Sequence, residues 1–350
     1  MRRKKILVAA LNWGLGHAAR CIPIIHALEQ HNFEPVLASD GNALLLLEKE
    51  FPHLSSFELP SYNVEYSTNG STLKWKMMWD SPRILKAIKE EKKLAKKLVE
   101  DYNLSGIISD NRFGVRYKHL NCVFITHQLN VLSGSTTYFS SKIHQKYIRK
   151  FDECWIPDAP GSKNLSGILG HLGKRADAIK YIGPLSRFKK RDLPVKYKFL
   201  ILLSGPEPQR SLLEEILLKK FENTSEKVLM LRGLLGENFT PSLDNKNLVI
   251  ENYKFGKELE EVLNSSENII SRSGYTSIMD FAKLEKKAFF IPTPGQFEQE
   301  YLAERLENLG IAPFCRQDKF ELSLLKELKD YKGLKDIGGT SHFRELFALF

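Results

Sequence analysis

Apolar and polar positions alternate along this chain in a repeating way. Short solid apolar runs are each followed by a loop and then by a longer amphipathic stretch. Residues 6–11 are the first run, ending at a glycine loop, and residues 18–30 then place Ile22, Ile25, Ala27 and Leu28 on one side of a helix. Residues 34–38, 104–109 and 122–126 continue the series, with a leucine-rich helix around 44–47 and a long one over 82–99. The second half repeats it, with strands predicted at 199–203, 228–231, 248–250, 268–270 and 288–292. Solid runs of strand length alternating with helices predict parallel sheets covered on both faces.

The stretch 268–312 carries the most chemistry. Its first strand stops at Ser271-Arg272-Ser273-Gly274, a helix covers about 276–284, and a second strand leads through Pro292, Pro294 and Gly295 into a polar helix near Glu298. This is a βαβα unit with a right-handed crossover, so two helix N-termini face one sheet edge and offer free N–H groups to an anion. Asp280 lies inside the first helix, within reach of a sugar hydroxyl beside that anion. The site is shaped for a nucleotide.

This stretch closely resembles the donor-binding half of the family 28 glycosyltransferases, which have the GT-B fold. There an S-R-[SA]-G turn precedes an acidic residue eight positions after the Arg, as Arg272 precedes Asp280, and a Pro-rich loop ends in a Gln pair. Gln299 matches the first Gln, while Glu300 departs from the second and Asp280 replaces the commoner Glu. The resemblance implies that Asp280 binds ribose hydroxyls and Gln299 sugar hydroxyls; Glu300, which only accepts, bears on which sugar is held. It also implies a diphosphate loop at Ser204-Gly205-Pro206-Glu207-Pro208-Gln209-Arg210, with Ser204, Gly205 and Gln209 donating and Arg210 adding charge. Tyr253 begins the segment that holds the base, and Arg187, in a G-x-P-x-R-like junction after Gly183, reaches the diphosphate or base. No Asp-x-Asp is present, so the leaving group is expected to be stabilised without a metal, and no cofactor is expected beyond the nucleotide-sugar itself.

In the first half, polar residues follow the predicted strands where α/β sheets place ligands. Gly14-Leu15-Gly16-His17 alone reads as a tight turn with an incidental histidine. Extended to Arg20 it resembles the G-x-G-H-x-x-R of several nucleotide-sugar transferases; Gly14 and Gly16 would let the backbone approach the nucleotide-sugar closely, and a helix N-terminus beside His17 would keep its imidazole neutral. His17 is therefore the first candidate for general base, with Asp110 and His127 as alternatives that remove the proton or orient the acceptor. Residues 127–130 loosely resemble the family's H-E-Q-N segment with altered order.

Composition fits such an enzyme. The chain has 350 residues, 42% hydrophobic and 27% charged, long for one core and sufficient for two domains. Its four scattered cysteines predict neither zinc nor disulfides, and the N-terminus imitates a secretory leader only until Asn12 and Trp13 interrupt it. A net charge of +10 and the cluster Lys74, Trp75, Lys76, Met77, Met78, Trp79 suggest an anionic membrane surface or acceptor. No nucleic-acid motif accompanies the charge, so nucleic acid is not expected. The expected architecture is GT-B, two Rossmann-like domains facing across a cleft: an acceptor domain over 1–184, a nucleotide-sugar domain over 185–335, and a helix over 336–350 packing back on the first. The expected activity is inverting, metal-independent transfer from a nucleoside diphosphate sugar, UDP foremost, to an acceptor hydroxyl, lipid-linked acceptors included. The expected place is the cytoplasm, at the inner face of the membrane. A nucleotide-sugar 2-epimerase and a non-catalytic nucleotide-binding subunit are the competing readings.

Overall fold

A computed structural model of the chain describes residues 3–62, 82–172, 178–234, 245–337 and 342–350. They divide into two compact units, one running to Arg187 and including residues 342–350, the other from Phe188 to Ile337. Trp75, Trp79 and their neighbouring lysines lie outside the described residues.

The first unit is built on β1 (Lys4–Ala10), β2 (Phe33–Ser39), β3 (Ser56–Glu58), β4 (Leu104–Asp110), β5 (Asn121–Ile125), β6 (Glu153–Ile156) and β7 (Ile179–Tyr181). They form one sheet in the order β3-β2-β1-β4-β5-β6-β7, and every pairing is parallel. The order reverses between β1 and β4, whose register sets Val8 against Ile108 and Ala10 against Asp110. Both strands are buried over nearly their whole length, which explains their solid apolar runs. Among the described residues four α-helices connect the strands: α1 (Gly16–Gln30), α2 (Gly41–Glu50), α3 (Pro82–Tyr102) and α4 (Thr137–Ile148). On α3, Ile84, Ala87, Ala95 and Leu98 are buried, whereas Lys86, Lys89, Lys92, Lys93, Lys96 and Lys97 all face solvent. Leu85 is exposed, and the buried face takes in Glu91. Arg112 at 3.0 Å and Tyr62 at 2.8 Å satisfy that carboxylate, which burial pushes above its usual pKa.

The second unit holds β8 (Tyr197–Leu202), β9 (Val228–Leu231), β10 (Leu248–Glu251), β11 (Ser266–Ser271) and β12 (Lys287–Phe290) in the order β10-β9-β8-β11-β12, again all parallel. Its helices are α5 (Gln209–Phe221), α6 (Gly256–Asn264), α7 (Tyr275–Lys283) and α8 (Phe297–Asn308). Here the order reverses between β8 and β11. Each unit is thus a doubly wound sheet with its own switch point, the place where such sheets bind ligands beyond the strands' carboxyl ends.

Near the chain's end lies α9 (Phe343–Phe347), a shorter helix than the expected 336–350, and it packs on the first unit. Phe347 is buried against His31, Phe33 and Trp155. The Lys4 ammonium donates to the Phe350 carbonyl at 2.6 Å and the Asn121 amide to that of Leu349 at 2.6 Å. Lys4 and Asn121 are the first residues of their strands, so this segment caps the amino end of the sheet, away from its switch point. Gly106 is required there, because a Cβ would stand 2.2 Å from the Phe350 ring.

Candidate active site

At the first switch point the loop after β1 turns at Gly14 (φ +76°), which lets Gly16 open α1 and puts His17 in its first turn. Asp110 closes β4 and is fully buried. His17 Nδ1 stands 2.8 Å from Asp110 Oδ1, and the His17 side chain is 16% exposed. Arg20, one turn further along α1, grips both carboxylate oxygens: Nε reaches Oδ2 at 2.5 Å and Nη2 pairs with Oδ1. The same guanidinium lies 2.8 Å from His17 Nδ1 and 3.1 Å from Nδ1 of His127, which follows β5. Asn111, at φ +54°, turns the chain after Asp110 and places its amide 3.4 Å from Oδ1.

The electrostatics follow from this packing. Burial alone would raise the Asp110 carboxyl, but Arg20 and His17 hold it down at about 2. Burial, then the Arg20 charge, pushes the imidazole of His17 below its ordinary value against the pull of Asp110. The Nδ1 contacts to a pure acceptor and a pure donor call for opposite tautomers. The Asp110 bond, with Nδ1–H donating, leaves the lone pair on Nε2. All three sequence candidates therefore meet: His17 and Asp110 directly, His127 through Arg20. Arg20 itself was not singled out for the site; its spacing of three from His17 on one helix was the available signal.

In the second unit the loop after β8 and the turn after β11 occupy the corresponding places. Ser204 and Gly205 are exposed, Gly205 at φ +105°, and Gln209 begins α5. Gly274 caps α7, with open space where a Cβ would point, and Asp280 lies half-buried six residues after it on that helix. Arg272 is buried beneath them. It donates to the carbonyls of Ile291 (3.0 Å), Pro292 (3.1 Å) and Gln209 (2.8 Å) and to the Gln317 amide oxygen (2.7 Å). Among the described residues no carboxylate pairs with it, and burial lowers its pKa to about 10. Arg272 therefore ties together the two loops that flank the switch point and leaves positive charge beneath them.

The loop after β12 is held by the two residues that correspond to the Gln pair. Gln299 Oε1 accepts the Thr293 N–H at 2.9 Å, its Nε2 donates to Gln296 at 2.6 Å, and its carbonyl accepts the buried Ser273 hydroxyl at 2.7 Å. Glu300 Oε1 accepts the Gly295 N–H at 2.9 Å. Both side chains thus shape the loop in addition to any part in sugar recognition. Thr293, which sequence reasoning passed over, has a buried hydroxyl with no partner among the described residues, 3.8 Å from where a Gly205 Cβ would stand.

Arg210 departs from the expected diphosphate role. Its guanidinium is buried and engaged by Glu207 at 2.5 Å and by Glu214, which in turn holds Arg232 at 2.5 Å. Two carboxylates neutralise it, so it anchors α5 rather than presenting charge to a ligand. Tyr253 follows β10 and stacks edge-on against Phe255, ring centroids 3.9 Å apart. Arg187 is half-buried and belongs to the first unit.

Comparison with known proteins agrees with this geometry. Residues 200–333 match the model of the glycosyltransferase family 28 C-terminal domain. Over 208 residues the chain is 30% identical to the UDP-N-acetylglucosamine–N-acetylmuramyl-(pentapeptide) pyrophosphoryl-undecaprenol N-acetylglucosamine transferase of Buchnera aphidicola subsp. Schizaphis graminum, covering 58% of this chain and 55% of that protein. The enzyme of the same name from Haemophilus influenzae is 23% identical over 343 residues, 95% of this chain and 91% of that one. Among solved structures, the glycosyltransferase of kitacinnamycin superposes with a TM-score of 0.66 at 13% identity, over 94% of this chain and 90% of that one. The fold is GT-B, as the family resemblance implied.

Proposed function

We propose, from a family 28 C-terminal domain carried on a GT-B frame, that this chain is a glycosyltransferase moving a sugar from a nucleoside diphosphate to an acceptor hydroxyl. UDP-N-acetylglucosamine, named for the relatives, is the donor of choice, and a lipid-linked molecule the acceptor. The observation that carries the reading is the pairing of chemistries at the two switch points. The first holds an imidazole oriented by a buried carboxylate; the second holds exposed loop N–H groups and two helix N-termini over an uncompensated arginine.

Each half has a definite task. His17, with Nδ1–H donated to Asp110, takes the acceptor proton at Nε2 as the hydroxyl oxygen attacks the anomeric carbon. The nucleoside diphosphate leaves with the bonding electron pair. Gly205, Gly274 and the starts of α5 and α7 receive its charge, with Arg272 beneath, and no divalent ion is required. Asp280 holds ribose hydroxyls and Tyr253 the neighbourhood of the base, while Gln299 and Glu300 set the loop against the sugar. The resemblance assigns Arg187 a part in donor binding.

A lipid acceptor and a site of action at the inner membrane face are supported by exposed Tyr138 and Phe139, with the Lys142 ammonium 4.3 Å over the Tyr138 ring. The six solvent-facing lysines of α3 add to that support. Among the described residues no helix is long and apolar enough to cross a membrane. The epimerase reading is less favoured because the matching family and the named relatives are transferases, whereas fold alone would not separate the two.

The test is transfer of labelled N-acetylglucosamine from its UDP donor to a polyprenyl-diphosphate-linked sugar acceptor in EDTA. Product in EDTA supports the reading. UDP binding without product with any acceptor or free N-acetylmannosamine donor product points to the non-catalytic alternative, and interconversion of the donor's sugar to the epimerase.

A further inference from the structure

Every titrating group at the first switch point meets Arg20. Its guanidinium holds both oxygens of Asp110, lies 2.8 Å from His17 Nδ1 and 3.1 Å from His127 Nδ1, and is itself 1% exposed. A buried aspartate beside a histidine would ordinarily raise the basicity of the imidazole and favour its protonated form. Such a histidine cannot accept a proton. We propose that Arg20 is a positioning residue of the reaction: by occupying Asp110 it lets the carboxylate orient His17 without charging it, so that the imidazole stays neutral and ready to act as base. The proposal rests on the reading of His17 as that base.

The charges around His17 can be counted from each element that packs on it. Arg20 and the helix N-terminus come from α1, Asp110 from the end of β4, and His127 from the segment after β5. Cys21, also on α1, points its thiol at Asp110 Oδ2 from 3.7 Å, and burial beside that carboxylate keeps the thiol protonated. Arg20 and Asp110 cancel. A proton on His17 would therefore leave a net buried positive charge facing a guanidinium and a helix N-terminus, with only an already engaged carboxylate to offset it. Without Arg20 the same proton would complete an ion pair.

The experiment is a pH titration of the histidine Cε1–H resonances in the full chain, with His17 assigned by its loss in His17→Gln. It is run beside the pH profile of kcat/KM. Expected results are a wild-type His17 that titrates below the ordinary histidine value, and an upward shift of about one unit or more in Arg20→Met. The acid limb of kcat/KM should move to higher pH by the same amount. Arg20→Lys, which keeps the charge, should stay near wild type, and Asp110→Asn should move His17 further down. If Arg20→Met fails to fold, the wild-type titration and the opposed Lys and Asn variants still decide. A wild-type His17 at or above the ordinary value, or a folded Arg20→Met with His17 unmoved, overturns the proposal. Should His17 shift as expected in a protein that transfers no sugar to any acceptor, the transfer reading fails while the control of the imidazole by Arg20 stands.

Discussion

At the residue scale, the first switch point is a case of three neighbours giving one another their properties. His17 supplies the lone pair, Asp110 its orientation and Arg20 the compensating charge. Replacing His17 with Ala should lower kcat by about 10²–10⁴-fold, the usual worth of a positioned base, and leave UDP affinity unchanged, since UDP is assigned to the second unit. Steady-state kinetics beside calorimetric UDP titration would check both halves; equal losses in binding and turnover would mean that His17 holds the donor instead. Thr293 makes a contrasting prediction. Its buried hydroxyl bonds to nothing among the described residues, so Thr293→Val should leave stability in urea unchanged or slightly increased, whereas removing a satisfied buried hydroxyl costs about 1 kcal/mol. The motif residues themselves were legible because glycines, His17 and Asp110 follow solid strands. Arg20 and Thr293 were not, because neither an arginine nor a threonine declares from sequence which neighbours it will find.

At the scale of elements, the strands were the most legible feature. Parallel strands buried on both faces write themselves as continuous apolar runs, and the run 228–231 coincides with β9. Half-buried pieces such as β3, β7 and α6 lack that signature and went unseen. The partners of Arg210 were hidden for a related reason. A basic residue at the start of α5 looks available to an anion until Glu214, one helical turn away, and Glu207 are seen to claim it. Arg210→Gln should therefore act on the element rather than on the ligand. Glu214 would keep Arg232 alone, and breaking a buried pair of this kind costs about 3 kcal/mol. UDP affinity of the folded variant should change less than about threefold, well under the tenfold that 1.4 kcal/mol represents. Urea denaturation and calorimetry on the same sample separate the two effects, and a large loss of affinity with unchanged stability would restore Arg210 to the site.

At the scale of the whole molecule, the two units repeat one architecture but differ sharply in which residues titrate. All nine histidines lie outside residues 188–337, so histidine protonation in mild acid falls outside that stretch. In the first unit, burial among Phe113 and Phe124 holds His144 down at about 3, and His17 is also lowered. The sign of the effect is fixed by these directions. A histidine whose folded pKa is depressed binds its proton more readily in the unfolded chain, so stability falls as pH drops below about 6.5 and stops falling only near the folded value. Each such group contributes a slope of at most about 1.4 kcal/mol per pH unit over that window. Asp110, held at about 2 from an ordinary value of 3.8, adds a second loss of the same sign only below about pH 4. Hydrogen exchange at pH 7 and pH 5, corrected for the intrinsic rate, should show amides of β1, β4 and β5 losing protection while those of β8 and β11 hold theirs. His144→Leu should remove much of the difference, because the leucine fills the aromatic pocket and has no proton to gain. Equal losses in both units, or an unchanged slope in His144→Leu, would show that acid acts on this chain through something other than its buried histidines.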